Sequence, residues 1–303
     1  MRIGWAFLLA ASYVAAQIPW LEREMARVAQ ISPDPVGAVA IHIETGRRAA
    51  LNAEMTFSTA STMKIPIASE LLRRVDAGEE KLARMITIGR DEYAPGSGTL
   101  RPLFRPPGDD QPAVALSVRM LLELMLLISD NTATDLLLRE VGGAEAVNAR
   151  MKALGIEGLH LRGGTKLLIE EMLANLAAFR KAPTNHSTPE AMSRLLVRIA
   201  KKQDLSPASA DLLLDILKRC QTGDTRLKGI LPKDTVVRHK TGSDGAVTAD
   251  VGIIELPDGA GHVALSVFAK SESKDGTVEK RERAIAEIAR TVHDFFLYQR
   301  GAQ

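Results

Sequence analysis

Three short patterns in this chain carry residues that do chemistry when held together. The first is Ser61-Thr62-Met63-Lys64. On a helix, a spacing of three places Ser61 and Lys64 on one face, a turn apart. A serine hydroxyl is a weak nucleophile, but a lysine held neutral in a crowded site can take its proton. A helix N-terminus also favours developing negative charge. The second pattern is Ser129-Asp130-Asn131, a polar triplet that breaks an apolar run and presents its side chains at a fixed point. The third is Lys240-Thr241-Gly242, preceded by His239. There a cation and a hydroxyl can hold a carboxylate, while the glycine lets a substrate backbone come close. Taken singly, each has a plain structural reading: a capped helix with an exposed lysine, an ordinary N-cap, a lysine before a glycine turn.

Such residues act together only if the chain's elements bring them together. Residues 19–30 read as an amphipathic helix with Leu21, Met25 and Val28 on one stripe. Two β-rich runs, 36–43 and 47–52, surround a short glycine-containing turn and make a hairpin. Residues 61–77 turn helical, so the first pattern opens a helix. Residues 116–128 are apolar on more than one face and read as a buried helix that delivers the second pattern. Helices follow over 131–141 and 144–154, with Gly142-Gly143 between them. Thr188-Pro189 and Ser206-Pro207 each open a further helix, the hydroxyl residue as N-cap and proline at the first helical position. Strands over 235–241, 249–255 and 262–270 then carry the third pattern, with a turn at Pro257-Asp258-Gly259. A closing helix spans 277–298. This order predicts an α+β fold: one five-stranded antiparallel sheet flanked by the terminal helices, with an all-helical block inserted between its halves. The sheet part is expected over 17–60 and 221–303, the helical part over 61–220. A Pro- and Gly-rich stretch over 95–112 reads as a surface loop.

Composition narrows the partners. The 303 residues carry 39 Lys+Arg against 37 Asp+Glu, a net charge of +2 with only short basic runs. That balance argues against a nucleic-acid binder; a monomer is expected, and the small-molecule or short-peptide partner follows only from the resemblance given below. Cys220 is the single cysteine, which rules out an internal disulfide. The six histidines show no ligand spacing, and no cofactor is expected. Arg2 followed by an apolar run to Ala16 has the form of a secretory leader removed near Ala16, too short to span a bilayer, which takes about 20 apolar residues. An exported, secreted or periplasmic protein is expected.

In this order and on these elements, the three patterns resemble the class A β-lactamases and penicillin-binding proteins, a family of serine acyl-transferases. The resemblance covers nearly the whole chain after Ala16. It implies Ser61 as the acylated nucleophile, Lys64 as its proton partner and Ser129 as the proton shuttle to the leaving nitrogen. Asn131 is implied as a ligand of the substrate side chain, and Lys240 and Thr241 as the carboxylate site, with Gly242 beside them in the substrate-binding strand. The backbone N–H groups of Ser61 and Ser243 would form the oxyanion hole. Tyr93 resembles an aromatic at the cleft mouth, and Arg226 a second carboxylate-binding cation. The implied activity is hydrolysis of the β-lactam amide. The alternatives are a D-Ala-D-Ala peptidase acting on cell-wall peptides, and a module of the same fold that binds acyl groups without turnover.

What separates those alternatives is activation of water against the acyl-enzyme. Glu171, with Asn175 four residues later, has the spacing of the family's water-activating glutamate, and Glu170 beside it competes for the role. The segment departs from the family pattern, however. Leu168, Met172, Leu176 and Phe179 recur at helical spacing where an irregular loop is usual. The family's bridging acid is replaced near Asn185, and its arginine partner near Gly163-Gly164.

Overall fold

The computed structural model describes residues 18–104 and 113–298. The leader expected over 1–16, and residues 105–112 of the surface loop, lie outside the described residues. The chain runs through α1 (18–29), β1 (Val36–His42), β2 (Arg48–Leu51) and β3 (Phe57–Ser58) into a single 3-10 turn, Ala60–Met63. Then come α2 (Lys64–Asp76), β4 (Met85–Ile88), α3 (Leu100–Phe104), β5 (Val114–Ser117), α4 (Val118–Leu127), α5 (Asn131–Glu140) and α6 (Gly143–Ala153). The second half holds β6 (Leu159–His160), α7 (Thr165–Ala174), α8 (Leu176–Lys181), β7 (His186–Ser187), α9 (Pro189–Ala200) and α10 (Pro207–Lys218). It closes with β8 (Val237–Ser243), β9 (Val247–Glu255), β10 (His262–Lys270) and α11 (Val278–Tyr298).

The main sheet has five antiparallel strands in the order β2-β1-β10-β9-β8. Its two faces follow the period of two that strands impose. Val247, Ala249, Val251, Ile253, Ala264 and Phe268 face the core shared with the helical block. Val263, Leu265, Val267 and Ala269 face a second core with Leu21 and Met25 of α1 and Ile285, Ile288 and Val292 of α11. Two small antiparallel sheets, β4-β5 and β3-β7-β6, lie outside the main sheet. With two to four residues each, these strands are too short to show alternation in sequence. The caps fall where the hydroxyl-proline pairs indicated: Thr188 accepts from Ala191 N and Ser206 from Ser209 N. Among the described residues no helix is long and apolar enough to cross a membrane.

Candidate active site

Ser61 lies in the 3-10 turn that runs straight into α2. The turn is sharp enough to hold Ala60 at a φ of +41°, a left-handed conformation that costs an alanine on the order of 1–2 kcal/mol. The strain is offset by local bonds: Thr62 Oγ1 donates to Thr59 O at 2.7 Å, and Ala60 N donates to Ser58 Oγ at 3.2 Å. Gly242 of β8 accommodates the turn. A Cβ there would stand 2.8 Å from Thr59 O and 3.2 Å from Ala60 Cβ. The close backbone approach expected of Gly242 is therefore made by the chain's own turn that carries Ser61.

Lys64, the first residue of α2, is fully buried. Its Nζ donates to Ser129 O at 2.7 Å, Ser129 Oγ at 2.9 Å and Asn131 Oδ1 at 3.0 Å. Among the described residues no hydrogen bond joins it to Ser61 Oγ. Ser129, between α4 and α5, has a φ of +60°. Asp130 N-caps α5 through Ala133 N and also accepts from Thr99 N at 2.7 Å and Leu100 N at 2.9 Å. A Cβ on Gly98 would meet Asp130 Oδ2 at 2.2 Å, so only glycine lets this loop close over the acid. The same loop is held by Asn131, whose Nδ2 donates to Pro95 O and whose N donates to Ser97 O.

From the other side, β8 delivers Lys240, also fully buried. Its Nζ donates to Ser129 Oγ at 3.1 Å and to Thr241 O at 2.9 Å. One hydroxyl is thus shared by two buried lysines. Burial disfavours the charged form of both. It holds Lys64 well below the ordinary amine range, with the Lys240 charge acting the same way, and brings Lys240 down to about 8. Thr241 Oγ1 is bonded to Thr222 Oγ1 at 2.7 Å. Behind the strand, His239 Nδ1 lies 2.9 Å from both Asp250 oxygens in a fully buried pair. Arg226 is buried against the end of β8. It donates to Gly242 O, Ala249 O and, at 2.7 Å, Ser243 Oγ, and pairs with Glu282 at 3.0 Å.

Ladder geometry aims the Ser243 N–H. Asp244 N donates to Val247 O, which makes 244/247 a hydrogen-bonded pair and 243/248 an unbonded one. Because β8 is the edge strand, the Ser243 N–H points off the sheet. Ser61 and Ser243 line one cavity of about 180 Å³, together with Gly96, Ser97, Asn131 and Asp244.

The far wall of this cavity is α7, which contributes Thr165, Leu168, Ile169 and Met172. These positions form a single helical stripe. Glu170 and Glu171 fall off it, and neither lines the cavity. Glu171 instead accepts from Arg162 Nη2 at 2.7 Å and Thr184 Oγ1 at 2.6 Å. The structure therefore does not bring Glu171 to Ser61. Tyr93 is buried in the core while its neighbours Gly96 and Ser97 reach the cavity. Cys220 is buried beside Thr222. Two residues complete what spacing alone did not resolve. Asn185 Oδ1 accepts from Arg162 N and Gly163 N, and Nδ2 donates to Gly163 O, so an amide and a backbone replace the family's bridging ion pair. The other is Asp244, two residues beyond Gly242, which carries no signal of its own in the sequence.

The sequence profile of the beta-lactamase enzyme family matches residues 20–296. The chain is 31% identical to the β-lactamase VEB-1 of Pseudomonas aeruginosa over 82% of this chain and 80% of that protein. Among solved structures, the extended-spectrum β-lactamase TLA-1 superposes with a TM-score of 0.81 at 30% identity, covering 92% of this chain and 99% of that one. A mutant of PBP-A, solved as its acyl-enzyme complex with penicillin G, gives a TM-score of 0.75 at 27% identity over 90% and 95% of the two chains.

Proposed function

Because the chain belongs to the beta-lactamase enzyme family, it is a hydrolase acting on β-lactams, and we propose that it works as a class A-type serine enzyme through acylation of Ser61. The observation that carries this is the Ser129 hydroxyl, bonded to both Lys64 at 2.9 Å and Lys240 at 3.1 Å. Two ammonium groups on one hydroxyl repel each other, and burial and the Lys240 charge both push Lys64 toward its neutral form, in which it serves as base. Lys64 takes the Ser61 proton as Oγ attacks the lactam carbonyl. The carbonyl oxygen becomes an oxyanion facing the N–H groups of Ser61 and Ser243. Collapse breaks the C–N bond, and the leaving nitrogen receives a proton from Ser129 Oγ, which is resupplied by Lys64. Lys240, Thr241 and Ser243, backed by Arg226, hold the substrate carboxylate, while Asn131 and the apolar stripe of α7 hold the acyl side chain. Water then hydrolyses the ester. The leader-like composition of residues 2–16 supports export of the enzyme.

The Ser61→Ala variant is expected to lose all covalent labelling by a fluorescent penicillin, and labelling that persists overturns the assignment. One observation favours a second reading: no carboxylate of α7 lines the cavity, as suits a penicillin-binding peptidase that keeps its acyl group. Burst and steady-state hydrolysis of a chromogenic cephalosporin, followed with intact-protein mass, separates the two. Turnover without a lasting adduct is the hydrolase; a single burst with a stable adduct is the peptidase-like state.

A further inference from the structure

Asp244 stands in the turn between β8 and β9, next to Ser243. Its Oδ1 accepts from Ala246 N at 2.7 Å and Val247 N at 3.0 Å, which closes the turn. Its Oδ2 accepts from Ser58 Oγ at 2.6 Å. Ser58 ends β3, three residues before Ser61, and its Oγ also receives the Ala60 N–H. One carboxylate is therefore bonded to both backbone segments that carry the oxyanion-binding N–H groups. We propose that Asp244 is a positioning residue for acylation: it ties the strand leading into Ser61 to the turn following Ser243, and so sets the separation of the two N–H donors.

A carboxylate suits this task because both oxygens accept, and a charge-assisted bond is about twice as strong as a neutral one. Burial pushes the Asp244 carboxyl up, and its three donors offset that push only in part. The segment it restrains is also one that would relax if released. Ala60 sits at a positive φ, and the Thr59 carbonyl stands 2.8 Å from where a Cβ on residue 242 would lie. A donor misplaced by about 1 Å costs on the order of a hundredfold in rate.

The inference rests on the acyl-transfer reading above, and its test separates the two. The full-length chain and its Asp244→Ala, Asp244→Asn and Ser58→Ala variants are reacted with a penicillin carrying a ¹³C-labelled lactam carbonyl. Acylation rate is followed by intact mass, and the ester carbonyl stretch of each adduct by infrared difference spectroscopy. Asp244→Ala is expected to acylate roughly tenfold to a hundredfold more slowly, with the carbonyl band moved to higher frequency as its hydrogen bonds lengthen. Asp244→Asn, whose Oδ1 still accepts from the turn and whose Nδ2 can donate to Ser58 Oγ, should restore the band and most of the rate. Ser58→Ala leaves the turn closed and removes the cross-link together with the Ala60 N–H bond to the same hydroxyl, so it should shift the band even if Asp244→Ala fails to fold. A wild-type band in folded Ser58→Ala overturns the proposal, as does slow acylation of Asp244→Ala with an unmoved band. A wild-type chain that forms no adduct on Ser61 overturns the acyl-transfer reading itself, and this inference with it.

Discussion

At the scale of single residues, the site is a problem of where two protons sit. Lys64 and Lys240 approach one hydroxyl from different elements, and burial makes each a poorer ammonium than it would be in water. Lys240 is brought from 10.5 to about 8, so its titration falls within reach of an ordinary pH profile. Below about pH 8 the free enzyme carries Lys240 as a cation and attracts a carboxylate; above it, the cation is lost. Hence kcat/KM for a β-lactam with a free carboxylate should fall as pH rises through about 8. A bound carboxylate favours the protonated form, so kcat should hold to higher pH. The methyl ester of the same substrate should show no such fall in kcat/KM. A fall of equal size for acid and ester would place the titrating group elsewhere.

At the scale of elements, the decisive feature is the rotation of α7 about its own axis. The helical spacing of Leu168 and Met172 was legible in the sequence, and so were the main strands, the large helices and the proline-marked caps, because burial stamps its period on apolar residues. The convergence of Ser61, Lys64, Ser129 and Lys240 was legible only through their resemblance to a known pattern, since no local period brings together residues more than 60 positions apart. Which face of α7 turns toward Ser61 was not legible. It is set by distant side chains: Asp135 accepts from Thr165 N and Lys166 N at one end, and Asn185 grips residues 162 and 163 just before the helix. Glu171 lies on the outer side, paired with Arg162. Replacing it with glutamine should therefore change deacylation by less than about threefold, a modest effect on the scale of general-base catalysis at roughly a hundredfold or more. An adduct that becomes trapped in Glu171→Gln would show that the glutamate swings inward. Asn185→Ala should do more damage. It leaves three part-buried backbone groups without their amide partner, which costs up to about 1–3 kcal/mol each where water does not replace it. Urea unfolding should show a loss of at least about 2 kcal/mol, with early proteolysis between residues 162 and 185. Unchanged stability would mean that the helix is oriented by its apolar stripe alone.

At the scale of the whole molecule, the catalytic block is an insertion into a sheet that the two ends of the chain must close. β1 and β10 pair along seven positions, and α1 and α11 cover the same face. What fixes these ends to each other is Asp34, in the link between α1 and β1. Its Oδ2 accepts from Arg281 Nη1 of α11 at 3.0 Å, and its Oδ1 accepts from Glu272 N and Ser273 N after β10. Arg281 Nε reaches on to Thr248 Oγ1 of β9 at 3.1 Å. The pair is almost wholly buried, with side-chain exposures of 6% and 0%. Removing one partner leaves the other charge stranded, which costs about 3–5 kcal/mol, whereas replacing both with apolar groups is often neutral. Asp34→Ala should therefore lower stability by about 3–5 kcal/mol in denaturant titration, and adding Arg281→Met should recover much of that loss. Acylation of Ser61 at 25 °C should stay within about twofold in both variants, because a folded sheet still presents β8 to the nucleophile turn. If Asp34→Ala instead slows acylation while leaving stability intact, the strain passes through Thr248 to its cross-strand neighbour Ser243, and closure of the sheet would be part of the catalytic machinery rather than its support.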